Sequence, residues 1–233
     1  MLTVLWSPKG GVGVSVVAAA LAVAKAESLS PDLAADPVPA VRPDAHVLLV
    51  DTCGDLPSVL GVARPTGPGL REWAATPERD PLALARLVVP VVDGLRLLPA
   101  GDGPPLTHDS VGPLLDALRA TAAEVLVDVG VVRRCGGVDP LVEVVAAADH
   151  SLMVVRPCYL ALRAGVASEE RPDGIVVVEE PGRALVSRDV ADVLAAPVMA
   201  TVPLDSAVAR AVDAGVLARR VPRVLAHALK DLV

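Results

Sequence analysis

The chain has no Phe, one Tyr and two Trp, so stacked aromatic rings do not build its core. With 53% hydrophobic residues in 233, that core must come from Val, Leu and Ala. Buried strands and helices of α/β proteins commonly have this composition. Cysteine is equally scarce. Cys53, Cys135 and Cys158 are odd in number, scattered, and form no Cys-x-x-Cys. That fits a reducing, cytoplasmic setting better than a disulfide framework or a cysteine zinc site. The histidines His46, His108, His150 and His227 show no metal-ligand spacing either.

Positive charge is short, with 21 Lys and Arg against 28 Asp and Glu and a net charge of −7. That balance argues against a surface built for DNA or an anionic membrane. The pairs Arg133-Arg134 and Arg219-Arg220 read as solvated faces. No apolar run is long enough to span a bilayer: the uncharged stretch 10–24 falls short of the about 20 residues needed. An apolar, strand-like run over 2–6 precedes Lys9, which does not fit a secretory leader. Trp6 and Trp73 read as packing residues. There is no internal repeat and no clear linker, so 1–233 is expected to be one domain.

What is present is a regular alternation. Strands are expected over 2–6, 46–51, 95–98, 125–128, 151–155, 175–178 and 198–202. Helices are expected over 14–27, 70–75, 82–88, 110–123, 141–148, 160–168, 188–194, 207–218 and 221–232, with a Pro- and Ala-rich loop over 30–44. This order implies an α/β fold, a mainly parallel β-sheet flanked by helices on both faces. The final helix carries Val221, Val224, Leu225, Ala228, Leu229 and Leu232 on one face. With so few cations beside it, that face is expected to pack on the domain and not on a membrane.

In such folds ligands bind at the carboxyl ends of the strands. The first strand runs into Lys9-Gly10-Gly11-Val12-Gly13-Val14-Ser15-Val16 at the start of a helix. Glycines there let backbone N–H groups and the helix N-terminus surround an anion. Ser15 can offer a hydroxyl to Mg²⁺, and the strand-terminal Asp51 and Asp128 can hold a metal's water shell or orient a nucleophilic water. Taken singly, each Asp could equally cap a turn, and the glycines could make only a tight turn.

Lys9-Gly10-Gly11-Val12-Gly13-Val14-Ser15 resembles the deviant Walker A motif of the ParA/MinD P-loop ATPases, Lys-Gly-Gly-x-Gly-Lys-Ser/Thr. Lys9 matches the extra lysine that marks this family. Val47-Leu48-Leu49-Val50-Asp51, followed by Gly54-Asp55-Leu56-Pro57 and Leu60-Gly61, is similar to its second acidic motif. Leu97-Leu98-Pro99-Ala100-Gly101 resembles a further recurrent element, and Val125-Leu126-Val127-Asp128 its Walker B strand. Val202-Pro203-Leu204-Asp205 looks like the late segment that lies near the base. The stretches around Arg156-Pro157-Cys158 and Pro181-Gly182-Arg183 are similar to actinobacterial, pilus-associated members of the TadZ/CpaE kind.

The resemblance implies a homodimer with ATP and Mg²⁺ between the subunits. Lys9 would reach the partner's phosphates, Ser15, Asp51 and Asp128 would serve the metal, and Asp51 would position the attacking water. Pro203 and Asp205 would lie at the base. It also implies a protein partner in a positioning, division or pilus/secretion machine. Two departures stand out. Val14 replaces the lysine that holds the β- and γ-phosphates, a charge-assisted contact of roughly 1.5–3 kcal/mol. ATP binding is then expected to be weak and hydrolysis weak or absent. Glu179-Glu180-Pro181 stands where the family often places an adenine-reading Asn. A nucleotide-free pseudo-ATPase scaffold, or a small-molecule ligase on the same fold, are the alternatives. Lysine fits the first turn of a helix, so Val14→Lys is expected to cost little stability.

Overall fold

The computed structural model describes residues 1–29, 46–132 and 139–233. The loop expected over 30–44, and Arg133, Arg134 and Cys135, lie outside the described residues. Strands β1 (Leu2–Ser7), β2 (Val47–Asp51), β3 (Val89–Val92), β4 (Leu95–Leu98), β5 (Glu124–Val131), β6 (His150–Val155), β7 (Gly174–Glu179) and β8 (Val198–Pro203) form one sheet. Their order is β3-β4-β2-β5-β1-β6-β7-β8. Neighbours run parallel except β3 and β4.

Side-chain alternation along the strands splits the core into two layers. In β1, Leu5 joins the layer under α1 (Val14–Leu29), while Val4 and Trp6 join the opposite layer. The first layer also takes α2 (Leu56–Leu60), α9 (Ser206–Asp213) and α10 (Arg223–Leu229). The second takes α3 (Leu70–Ala75), α4 (Pro81–Ala85), α5 (His108–Arg119), α6 (Leu141–Ala146), α7 (Tyr159–Ala167) and α8 (Ser187–Leu194). The mainly parallel sheet covered on both faces is the expected fold. Trp6 and Trp73 are buried, and their ring N–H groups donate to Ser151 Oγ (2.9 Å) and the Asp80 carbonyl (2.8 Å).

α1 is apolar on nearly every face, as a helix sunk into a core must be. Its run of Ala18, Ala19, Ala20, Ala22 and Ala26 lets it lie close to the sheet, and its one buried cation, Lys25, pairs with Glu124 at 3.0 Å. Among the described residues, no helix is long and apolar enough to cross a membrane.

The structure departs from the expected elements in several places, among them β5, which runs past the expected end at Asp128 to Val131, and the helix expected over 110–123, which ends at Arg119. The helix expected over 82–88 is shorter, Pro81–Ala85, and is followed by β3, which periodicity missed. Asp93-Gly94 turns β3 into β4, with Gly94 at φ 75, and such a pair is a hairpin signal. Pro90 is tolerated there because β3 is an edge strand. The five-residue α2 was also missed, being too short for a periodic signal. The helix expected to reach 218 stops at Asp213, ahead of Gly215 at φ 63. α10 ends at Leu229 in a 3₁₀ turn, Lys230–Leu232. Its Leu225 and Leu229 are fully buried, in the layer that holds α1 and Ala200 and Val202 of β8, so its apolar face packs on the domain as expected.

Candidate functional site

The loops after β1, β2 and β5 meet at the carboxyl edge of the sheet, where α/β folds take their ligands. β1 ends at Ser7, whose hydroxyl donates to the Lys9 carbonyl (2.9 Å) and accepts from the Lys9 N–H (3.2 Å). The turn continues through Gly11 at φ 75 and Gly13 at φ 99, conformations that a side chain would strain. α1 begins at Val14 with no acidic residue in its first turn, leaving the helix's positive end open to an anion. Lys9, Gly10, Ser15 and Val16 are partly exposed, and Gly11 is exposed.

Val12 and Val14 turn the other way. Both are buried, Val14 at 6% exposure, in the layer that holds Val17 and Leu21. The position where the family motif has its lysine is thus a packed core position. This corrects the expectation that Val14→Lys costs little, because the lysine stem must displace or thread through that packing.

Asp51, at the end of β2, and Asp128 are register partners, and both are fully buried; Asp128 is not strand-terminal as expected, since β5 runs on to Val131. Asp51 turns its carboxylate on its own loop. Oδ1 accepts from the N–H groups of Cys53 (2.9 Å) and Gly54 (2.7 Å), and Oδ2 from that of Leu56 (3.2 Å), which opens α2. Burial still raises its pKa, against the pull of those three donors. Asp128 is less well served. Its Oδ1 accepts from the Gly130 N–H (3.0 Å), which a register shift in the β1/β5 pairing brings into place. Its Oδ2 is buried and has no hydrogen-bond partner. Burial pushes the Asp128 pKa up to about 7, the Ser15 hydroxyl opposing as a hydrogen-bond donor and the Asp51 charge adding to the rise.

A buried carboxylate oxygen without a donor, beside a serine hydroxyl, is a hard-oxygen setting that fits Mg²⁺. Among the described residues there is no cluster of three or more His, Cys, Asp or Glu suited to a metal, so any ion here would keep several waters or take phosphate oxygens.

The remaining expected residues lie further along the edge. Pro203 ends β8, which β6 and β7 separate from β1. Asp205 caps α9, its Oδ1 accepting from the Ala207 N–H at 2.6 Å. The Leu204 N–H donates to the Glu179 carbonyl (2.7 Å), which ties this segment to the end of β7.

Residues the sequence did not single out hold the Asp51 side of the site. Arg71 of α3 donates to the Thr52 carbonyl (2.8 Å), and the Thr52 hydroxyl donates to the Asp128 carbonyl (2.9 Å). Glu72 accepts from the N–H groups of Gly69 (2.7 Å) and Asp102 (2.8 Å). One short helix therefore stitches the loop after β2 to the loop after β4. No spacing rule marks these contacts, since each runs to a backbone atom. Cys53 is inert in this setting, because burial and then the Asp128 charge push its thiol up to about 12.

No protein-family model and no curated protein matches the chain. Solved structures do match in fold. A ParA family ATPase from Chlorobium tepidum is similar at 21% identity and a TM-score of 0.74, over 99% of this chain and 96% of that one. MinD in its complex with MinC, from Aquifex aeolicus, is similar at 19% identity and a TM-score of 0.71, over 99% and 92%. MinD with Mg-ADP from Pyrococcus horikoshii is similar at 19% identity and a TM-score of 0.72, over 99% and 93%. The fold is that of the ParA/MinD P-loop ATPases.

Proposed function

We propose that the chain, as one ParA/MinD-like domain, is a nucleotide-dependent dimeric switch that positions or regulates a partner protein complex. The observation that carries this reading is the buried, unpartnered Oδ2 of Asp128, set beside Ser15 where the glycine loop enters α1. A cation is wanted on one side of that point and an anion on the other. A Mg²⁺-bound polyphosphate meets both demands.

In this reading Lys9 and the loop from Gly10 to Val16 hold the phosphates, and Ser15 and Asp128 hold Mg²⁺. The ion neutralises phosphate charge when it is bound. Asp51 fixes the loop beside the metal, with the water-orienting role that the family resemblance gives it, while Pro203 and Asp205 border the base. Lys9 is partly exposed and has no ion pair among the described residues, which leaves it free to reach a second subunit. ATP is the nucleotide, bound weakly, and turnover is slow or lost, because Val14 brings no charge to the leaving phosphates. The MinC:MinD complex and MinD with Mg-ADP, both similar in fold, support a protein partner and a magnesium nucleotide.

One observation favours a nucleotide-free scaffold instead: Val14 belongs to the core. Light scattering with and without ATP and Mg²⁺ decides between the two. A nucleotide-dependent dimer supports the switch, and a monomer under all conditions at high protein concentration rejects it.

A further inference from the structure

β6 lies beside β1 on the side away from β5, with Trp6 opposite Met153. Arg156 directly follows β6, and the glycine turn follows β1, so both stand at the carboxyl edge of two neighbouring strands. Leu152 and Val154 belong to the layer under α1, and Met153 and Val155 to the opposite layer. The chain turns immediately afterwards, the Cys158 N–H donating to the Arg156 carbonyl at 2.8 Å.

The Nε of Arg156 is buried and has no hydrogen-bond partner, although the residue as a whole is partly exposed. Glu180, after the neighbouring β7, is held by Arg183 through two N–H groups. A guanidinium presents five donors and cannot shed its charge, so a sheltered N–H without an acceptor is costly. An oxyanion removes that cost, and the planar fork suits phosphate oxygens. The same edge lacks the lysine of the family motif, since Val14 is turned into the core.

We propose that Arg156 is a phosphate-binding residue that donates to the polyphosphate of the bound nucleotide and supplies from β6 the positive charge missing at position 14. This rests on the nucleotide-binding reading above. The contact belongs to the phosphates and not to the base, which separates it from a structural role.

Calorimetry with ATP, ADP and AMP in Mg²⁺, on the wild type, Arg156→Ala and Arg156→Lys, tests it. Arg156→Ala should weaken ATP binding about 10- to 100-fold and AMP binding much less. Arg156→Lys should recover part of the loss, and the nucleotide-free melting temperature of Arg156→Ala should not fall. If Arg156→Ala binds ATP as the wild type does, the role of Arg156 is overturned and nucleotide binding stands. Equal losses for ATP and AMP, or a lowered nucleotide-free melting temperature, also overturn it. If the wild type binds none of the three, the nucleotide reading fails and this assignment fails with it.

Discussion

Asp51 and Asp128 face each other in register across β2 and β5, yet only Asp128 keeps a buried oxygen without a donor. Asp51 spends both oxygens on the backbone of the loop that follows it. Two carboxylates placed in register on neighbouring strands thus do different things. One shapes the edge of the site, and the other leaves a buried oxygen there without a donor.

Asp51→Ala should therefore destabilise the fold before any catalytic question arises. Three N–H groups lose their acceptor, at about 1–3 kcal/mol for each one left buried and unsatisfied. Urea unfolding should show a loss of at least about 2 kcal/mol on that basis, and Asp51→Asn, which keeps one carbonyl oxygen, a smaller one. Unchanged stability in Asp51→Ala would mean that the carboxylate does not hold the loop.

Asp128 makes stability depend on pH, with a definite sign. Its pKa is about 7 in the folded chain against the ordinary aspartate value of 3.8. Between these values the folded state keeps a proton that the unfolded chain has released. The contribution is fully present below the unfolded value and is lost as pH rises through the folded one, at up to about 1.4 kcal/mol per pH unit. Asp128→Asn removes this term. Its melting temperature should match the wild type near pH 4 and exceed it above neutrality in the absence of Mg²⁺. Parallel curves would contradict the burial assigned to this carboxylate.

The mainly parallel sheet, the glycine turn and the strand-terminal Asp51 were legible because each leaves a local mark: an apolar run, a glycine pattern, a charge at a strand end; Asp128 was read as ending its strand, but β5 continues to Val131. What Asp51 does was not legible, since its partners are backbone N–H groups that no side-chain pattern records. The burial of Val14 was hidden for a related reason. The first turn of α1 can present position 14 either to the loop or to the core, and only the packing of Val12, Val17 and Leu21 decides. Arg71 and Glu72 act on loops distant in sequence, so nothing near them announces the role.

A packing prediction concerns α2, which carries the Asp51 loop into the fold. Gly61 ends it at φ 74, and a Cβ there would stand 1.9 Å from the Gly215 carbonyl oxygen. Gly215 lies at φ 63, but its own Cβ would come no closer than 3.4 Å to Gly61. Gly215→Ala should cost roughly 1–2 kcal/mol for the left-handed backbone alone. Gly61→Ala adds a backbone collision and should cost clearly more. Denaturant midpoints of the two variants give the order, and equal losses would contradict the close approach.

Val14→Lys should pull two measurements in opposite directions. A buried valine is exchanged for a cation, so stability without nucleotide should fall by about 1–3 kcal/mol. ATP affinity should rise at least about tenfold, as a charge reaches the phosphates. Thermal melts and calorimetry on the same preparations check both. An unchanged melting temperature would mean that Val14 is not part of the core.

The central claim, that the glycine loop with Ser15 and Asp128 binds a magnesium nucleotide, is tested most directly by calorimetric titration of ATP into the full chain with Mg²⁺. Removing Mg²⁺ with EDTA, or replacing Ser15 with alanine, serves as the control. The account predicts saturable heat with Mg²⁺ present, and affinity reduced about tenfold or more in either control. A titration without saturable heat at millimolar ATP, or binding indifferent to both Mg²⁺ and Ser15, would contradict it.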